Sequence, residues 1–176
     1  VALDEIRMQA LKATPGKTKL STALTRIYKD TLKSELDLCY GYVKMPAGFA
    51  PTDSHFLIHV DGGPMEPLPV DAVENKKLTK DSVNCMINSV DMHDRQDLKI
   101  NYSDIVNHIK THGRKKTSAV FTVPGTKYYI NVFYLEYAFK LTDEKELMFS
   151  VKDPRSTWFL QYNNNWSMII DPMRIH

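Results

Sequence analysis

The chain has 176 residues, enough to bury the core of one ordinary domain or of two very small ones. An apolar share of 43% and a charged share of 25% belong to a folding sequence and set aside disordered and fibrous classes. Twenty-three Lys and Arg against 21 Asp and Glu leave a formal charge of +2, so any contact with a polyanion has to be local.

Two cysteines, Cys39 and Cys85, stand far apart with no CxxC or Cys/His ligand spacing. That argues against a disulfide scaffold or a structural zinc site and predicts reduced thiols in a cytoplasmic protein. No apolar run approaches the ~20 residues that span a bilayer. The opening VALDEIRMQALK alternates charge where a signal peptide carries an apolar run, so neither membrane nor leader is expected.

In chain order, Leu3, Ile6, Ala10 and Leu11 predict a short amphipathic helix stopped by Pro15 and Gly16. Leu20, Leu24, Ile27, Tyr28 and Leu32 mark one face of a second helix, with Thr18 or Ser21 as N-cap, and Arg26, Lys29 and Lys33 fall on another face. The period then changes to two: Leu36, Leu38, Tyr40 and Tyr42 alternate, PAGFAPTDS reads as turn, and HFLIHV reads as a further strand. Residues 61–80 are rich in Pro and Gly and read as a surface connection. Residues 81–97 read as helix through Val83, Met86, Ile87 and Val90. Ser103 is placed to cap a helix through Ile105, Val106 and Ile109 that stops at Gly113. SAVFTV and KYYINV form two strands around a Pro124 and Gly125 turn. A buried helix, VFYLEYAFKLT, and three strands, LMFSVKD, STWFLQY and WSMIID, close the chain.

This closing segment resembles the C-terminal half-domain of the bacterial and phage sliding-clamp family, the beta subunit of DNA polymerase III. The likeness rests on Ile130, Asn131, Val132, Tyr134 and Leu135 opening the helix, on Phe149, Ser150, Val151, Asp153 and Ser156 in the strands, and on Ile169, Ile170, Pro172, Met173, Arg174 and Ile175 at the end. It implies an α+β fold of clamp-like half-domains, with helices packed on antiparallel sheet. Residues 1–62 would be another such half-domain, residues 63–128 an unassigned middle, and residues 129–176 the clamp-like end. Clamps of this family have three domains, so the chain would be a shortened form or a fragment.

The resemblance further implies a processivity scaffold for DNA replication, without chemistry, cofactor or metal. Its partners would be duplex DNA, held without sequence preference, and short polymerase or repair-protein motifs of the Gln-x-x-Leu/Met-x-Phe kind, with assembly as a homo-oligomer. Carried over position by position, Thr157, Ile169, Ile170, Pro172, Met173 and Arg174 would line the peptide pocket, and Asp171 stands where the family usually has an apolar residue. Arg26, Lys29 and Lys33 form the stripe suited to duplex phosphates. The plain alternatives are a core strand ending at Pro172 and a solvated helix face.

A different reading, a small metal-dependent hydrolase, draws on Asp91, His93, Asp94 and Asp97 together with His108 and His112, four apart on a helix. An Asp-rich loop and a helix-terminal histidine explain the same residues without a metal. A further alternative is a peptide-binding module that has the clamp fold alone. No GxSxG, GxxxxGK[ST] or GxGxxG motif supports nucleophilic or nucleotide chemistry.

Overall fold

The computed structural model of the protein describes residues 19–31, 42–45, 48–51, 55–61, 74–75, 78–162 and 166–173. The helix expected at residues 1–13, the strand residues 36–41 and most of the 61–80 connection lie outside them. The chain divides into two units, Val1–Ser89 with Gln161–Met168, and Val90–Leu160 with Ile169–His176.

In the first unit, α1 (Lys19–Thr31) buries Ala23, Leu24, Thr25 and Ile27 against the sheet while Arg26 stays exposed. The helix begins at Lys19, so Ser21 lies inside its first turn and not at the cap. β1 (Tyr42–Met45), β2 (Gly48–Pro51) and β3 (Phe56–Asp61) form an antiparallel meander, with Met45 opposite Gly48 and Phe49 opposite Val60. One of the sequence expectations fails here. The stretch read as turn contains β2, because ladders on both sides outweigh the poor strand propensity of Gly and Pro, with Pro51 kept to the strand end. β1 buries Val43 and Met45, while the alternation expected over residues 36–42 lies almost wholly outside the described residues.

β3 reads as expected, with Phe56, Leu57, Ile58 and Val60 all buried. α2 (Lys80–Asn88) packs against β1 and buries Val83, and the Thr79 hydroxyl accepts the Ser82 N–H at 3.2 Å as its N-cap. The helix expected over residues 81–97 therefore ends early. Residues 89–95 form turn and loop, and only Gln96 and Asp97 of that stretch belong to the next strand, β4 (Gln96–Asn101), in the second unit.

That unit repeats a strand and a helix in direct succession. β4 (Gln96–Asn101) runs into α3 (Tyr102–His112), and β6 (Tyr129–Asn131) runs into α4 (Val132–Lys140). The helices pack on each other, α3 also on β4 and α4 also on β6. Gly113 ends α3 at φ 79°, a conformation with little steric cost only for glycine, and its N–H donates to the Ile109 carbonyl at 2.8 Å. β5 (Val120–Thr122) pairs with β6 across a turn in which the Thr126 N–H returns to the Val123 carbonyl and Gly125 takes φ 75° after Pro124.

β7 (Glu146–Val151) pairs along its full length with β4, from Gln96 opposite Val151 to Asn101 opposite Glu146, and β8 (Trp158–Tyr162) joins its other edge with Ser150 opposite Phe159. β8 and β9 (Trp166–Ile170) each contribute residues to both units. The inward phase of the three closing strands is regular: Leu147, Phe149 and Val151, then Trp158 and Leu160, then Trp166, Met168 and Ile170 are buried. The class is thus α+β, with helices packed on antiparallel sheet. The strand, helix and three strands expected over the last part of the chain are present in that order.

Candidate functional site

The last strand positions the tail. Alternation along β9 sends Ile170 into the core, fully buried with Met168 and Trp166, and turns Ile169 outward, partly exposed. Asp171 follows on the outward side and is exposed, and Pro172 and Met173 are partly exposed. Pro172 has no N–H to extend a ladder, so the strand stops two residues before it. The tail is nevertheless pinned, because the Met173 N–H donates to the Tyr129 carbonyl of β6 at 3.0 Å. Thr157, partly exposed at the entry to β8, donates its hydroxyl to the Asp171 carboxylate at 3.2 Å. The structure thereby joins Thr157 to Asp171 and leaves Ile169, Pro172 and Met173 partly exposed in the same stretch of chain. Ile170 is buried, and Arg174 lies outside the described residues.

Behind Thr157 stands a residue that the sequence reading passed over. Arg95 donates Nε to the Asp91 carbonyl at 2.7 Å and its two terminal nitrogens to the carbonyls of Ser150, at 2.7 Å, and Thr157, at 2.8 Å. One guanidinium thus ties the loop before β4 to both strands flanking the β7–β8 turn, and its partial burial lowers its pKa from the usual arginine value. In sequence it is a lone Arg among acidic residues, and its carbonyl partners, as many as 62 positions away, leave no local signature.

Next to it, the Lys152 ammonium and then the His93 backbone and ring hydrogen bonds hold the Asp91 carboxyl well below the usual carboxylate range, and the same Asp91 contact raises Lys152. Asp153 is lowered first by the Arg155 N–H and then by the Ser156 hydroxyl in the same turn.

Of the basic stripe expected on α1, only part falls among the described residues. Arg26 is exposed and Lys29 partly so, three residues apart on one helix, while Lys33 lies outside them. A run of three basic residues, Arg114, Lys115 and Lys116, is divided. Arg114 makes a bidentate ion pair with Glu136 of α4 at 2.9 and 2.8 Å, although that carboxylate is only 7% exposed, whereas Lys115 and Lys116 remain exposed. Glu136, on a helix otherwise read as apolar, is a buried charge whose partner the sequence does not reveal.

The constellation considered for a metal does not converge. His108 directs Nε2 at the Ser118 carbonyl at 2.8 Å, so that nitrogen carries the proton and offers no lone pair, and its ring lies 4.6 Å from that of His112. The Asp91 carboxylate is taken up by Lys152 and His93. Among the described residues no group of three or more His, Cys, Asp and Glu is placed to hold a metal ion. A shallow groove beside the start of α3 is bordered by Tyr102, Val106, Asn107 and Lys145, and Tyr102 itself is engaged by Phe139 at 5.2 Å and by the ammonium groups of Lys140 and Lys145 at 5.8 and 5.2 Å. Among the described residues no helix is long and apolar enough to cross a membrane.

No protein-family model and no curated protein matches the chain. Among solved structures it is similar to a DnaN sliding clamp (DNA polymerase III subunit beta) from Bartonella birtlesii bound to griselimycin, at 13% identity and TM-score 0.49 over 98% of this chain and 65% of that one. It is also similar to the DNA polymerase III beta subunit of Thermotoga maritima, at 10% identity and TM-score 0.44 over 99% of this chain and 64% of that one. The chain thus spans a little under two thirds of the length of either clamp.

Proposed function

We propose that the chain is a sliding-clamp-like, non-enzymatic scaffold of DNA replication that works as a homo-oligomer and offers two surfaces, one to peptides and one to duplex DNA. The observation that carries this reading is the C-terminal edge. There a strand, a helix and three strands in the order of a clamp half-domain end in a tail held against β6, with Ile169, Pro172 and Met173 partly exposed beside Thr157. A proline-stopped strand with a soft, adaptable methionine beside it suits the capture of a short apolar peptide. Arg174 would complete this surface.

Arg26, Lys29 and Lys33 form the second surface, which attracts phosphates without reading sequence. The binding test uses a Gln-x-x-Leu-x-Phe peptide, expected at micromolar strength, ~8 kcal/mol. Removal of residues 173–176 abolishes most of that affinity while far-UV circular dichroism stays unchanged, because the lost contacts lie beyond the last strand. Unchanged affinity in the truncated chain, or its unfolding, overturns the reading. For the DNA surface, replacing Arg26, Lys29 and Lys33 by Ala weakens association and flattens its salt dependence by up to about three phosphate contacts. Equal retention on circular and linear duplexes argues against encirclement.

A further inference from the structure

We propose that Asp171 sets the specificity of the tail surface, selecting peptides that carry Lys or Arg next to their apolar anchor; this rests on the peptide-binding reading above. Alternation along β9 puts Ile169 and Asp171 on the same outward side, so an exposed carboxylate interrupts the strip formed by Ile169, Pro172 and Met173. A peptide seating an apolar side chain on that strip brings its neighbouring residue within reach of the carboxylate. An acidic neighbour is repelled there and a basic one attracted.

The carboxylate is also held in place. Its Oδ1 accepts the Thr157 hydroxyl at 3.2 Å, and Arg95 grips the Thr157 carbonyl at 2.8 Å while the Met173 N–H anchors the other side of the tail on Tyr129 at 3.0 Å. Among the described residues no cation pairs with Asp171, and its bond to Thr157 uses only one of its two oxygens. An aspartate that only solvated a strand end would gain nothing from this bracing. An oriented acceptor beside an apolar strip discriminates between peptides that differ in one charge.

The test titrates the full chain with three peptides of one apolar anchor that differ at a single flanking position, Lys, Ala or Glu, by fluorescence anisotropy at low and high salt. The Lys peptide binds about tenfold more tightly than the Glu peptide at low salt, and the ratio shrinks as salt rises. Asp171→Asn, nearly isosteric at an exposed position, brings the ratio close to one and leaves the Ala peptide within about twofold. Thr157→Val keeps the charge but frees it to move, and the ratio falls to an intermediate value. Equal binding of Lys and Glu peptides by the unaltered chain, or a ratio that survives in Asp171→Asn, overturns the assignment while the peptide surface stands. Failure of all three peptides to bind removes the surface itself, and the assignment with it.

Discussion

Two stretches of the second unit are built to one plan and held by different physics. In each a strand passes through an asparagine straight into a helix: β4 into α3 at Asn101, and β6 into α4 at Asn131. α4 buries Val132, Leu135, Glu136, Ala138 and Phe139, whereas only Ile105 of α3 is fully shielded. The Asn131 side chain accepts the Phe133 N–H at 2.9 Å and caps its helix, while Asn101 makes no such bond. The β4–α3 arm is instead tied down through polar groups, with Arg95 on carbonyls, Asp91 on Lys152 and Lys99 on Glu146. Two segments of like order thus contribute unequally to stability: one through apolar burial, the other through contacts that water and salt weaken.

The contrast breaks most visibly in the helix interiors. Leu135→Ala empties a fully buried site and lowers unfolding stability by about 3 kcal/mol, whereas Val106→Ala, on a partly exposed face of α3, changes it by less than about 1 kcal/mol. Urea denaturation midpoints at constant slope measure both. A large loss for Val106→Ala would mean that α3 is as deeply packed as α4.

Next in size is the ion pair that links the end of α3 to the buried side of α4. Arg114→Ala leaves the Glu136 carboxylate without its bidentate partner and destabilises by about 2 kcal/mol, less than a fully buried pair because Arg114 is 54% exposed. Adding Glu136→Gln to that variant restores part of the loss, since a neutral amide costs less to bury than a lone charge. A double-mutant cycle gives the coupling.

The helix starts sharpen the comparison further. Asn131→Ala removes a cap and costs about 1 kcal/mol, while Asn101→Ala, with no cap bond to lose, costs only a few tenths. Thermal melts of the two variants side by side measure the difference.

The smallest effect concerns acid. The Asp91 carboxyl has a folded pKa below its unfolded one, so its contact with Lys152 contributes above the unfolded value of 3.8 and is lost as pH falls from there through the lowered folded value. Asp91→Asn is therefore slightly less stable than the parent near neutral pH and converges with it at the acid end. Because Asp91 and Lys152 sit at the surface, added salt reduces that gap.

Much of the second unit was legible because its elements carry their own punctuation. Gly113 ends α3, Pro124 and Gly125 turn β5 into β6, and period-two runs from Leu147 to Ile170 mark which side of each strand is buried. The same alternation separates Ile170, in the core, from Ile169, partly exposed, although the resemblance carries both over as pocket residues. β4 escaped the reading because QDLKIN has two apolar residues, Leu98 and Ile100, too few to establish a period. Its identity as a strand comes from six consecutive pairings with β7, about fifty residues away.

By itself, then, the sequence determined the α+β class, the strand, helix and three strands that close the chain, and the stop at Pro172. Each of these is written in spacing, turn chemistry or proline's missing N–H, all of which act over a few residues. Only the tertiary structure decided that GFAP is a strand, that Val43 and Met45 face inward, that Arg114 neutralises a buried Glu136, and that Arg95 braces Thr157 beneath the tail. These depend on backbone ladders and charge pairs between residues distant in sequence. Their partners compete with local propensity and override it because an unpaired backbone group or a lone buried charge costs more than the propensity gains.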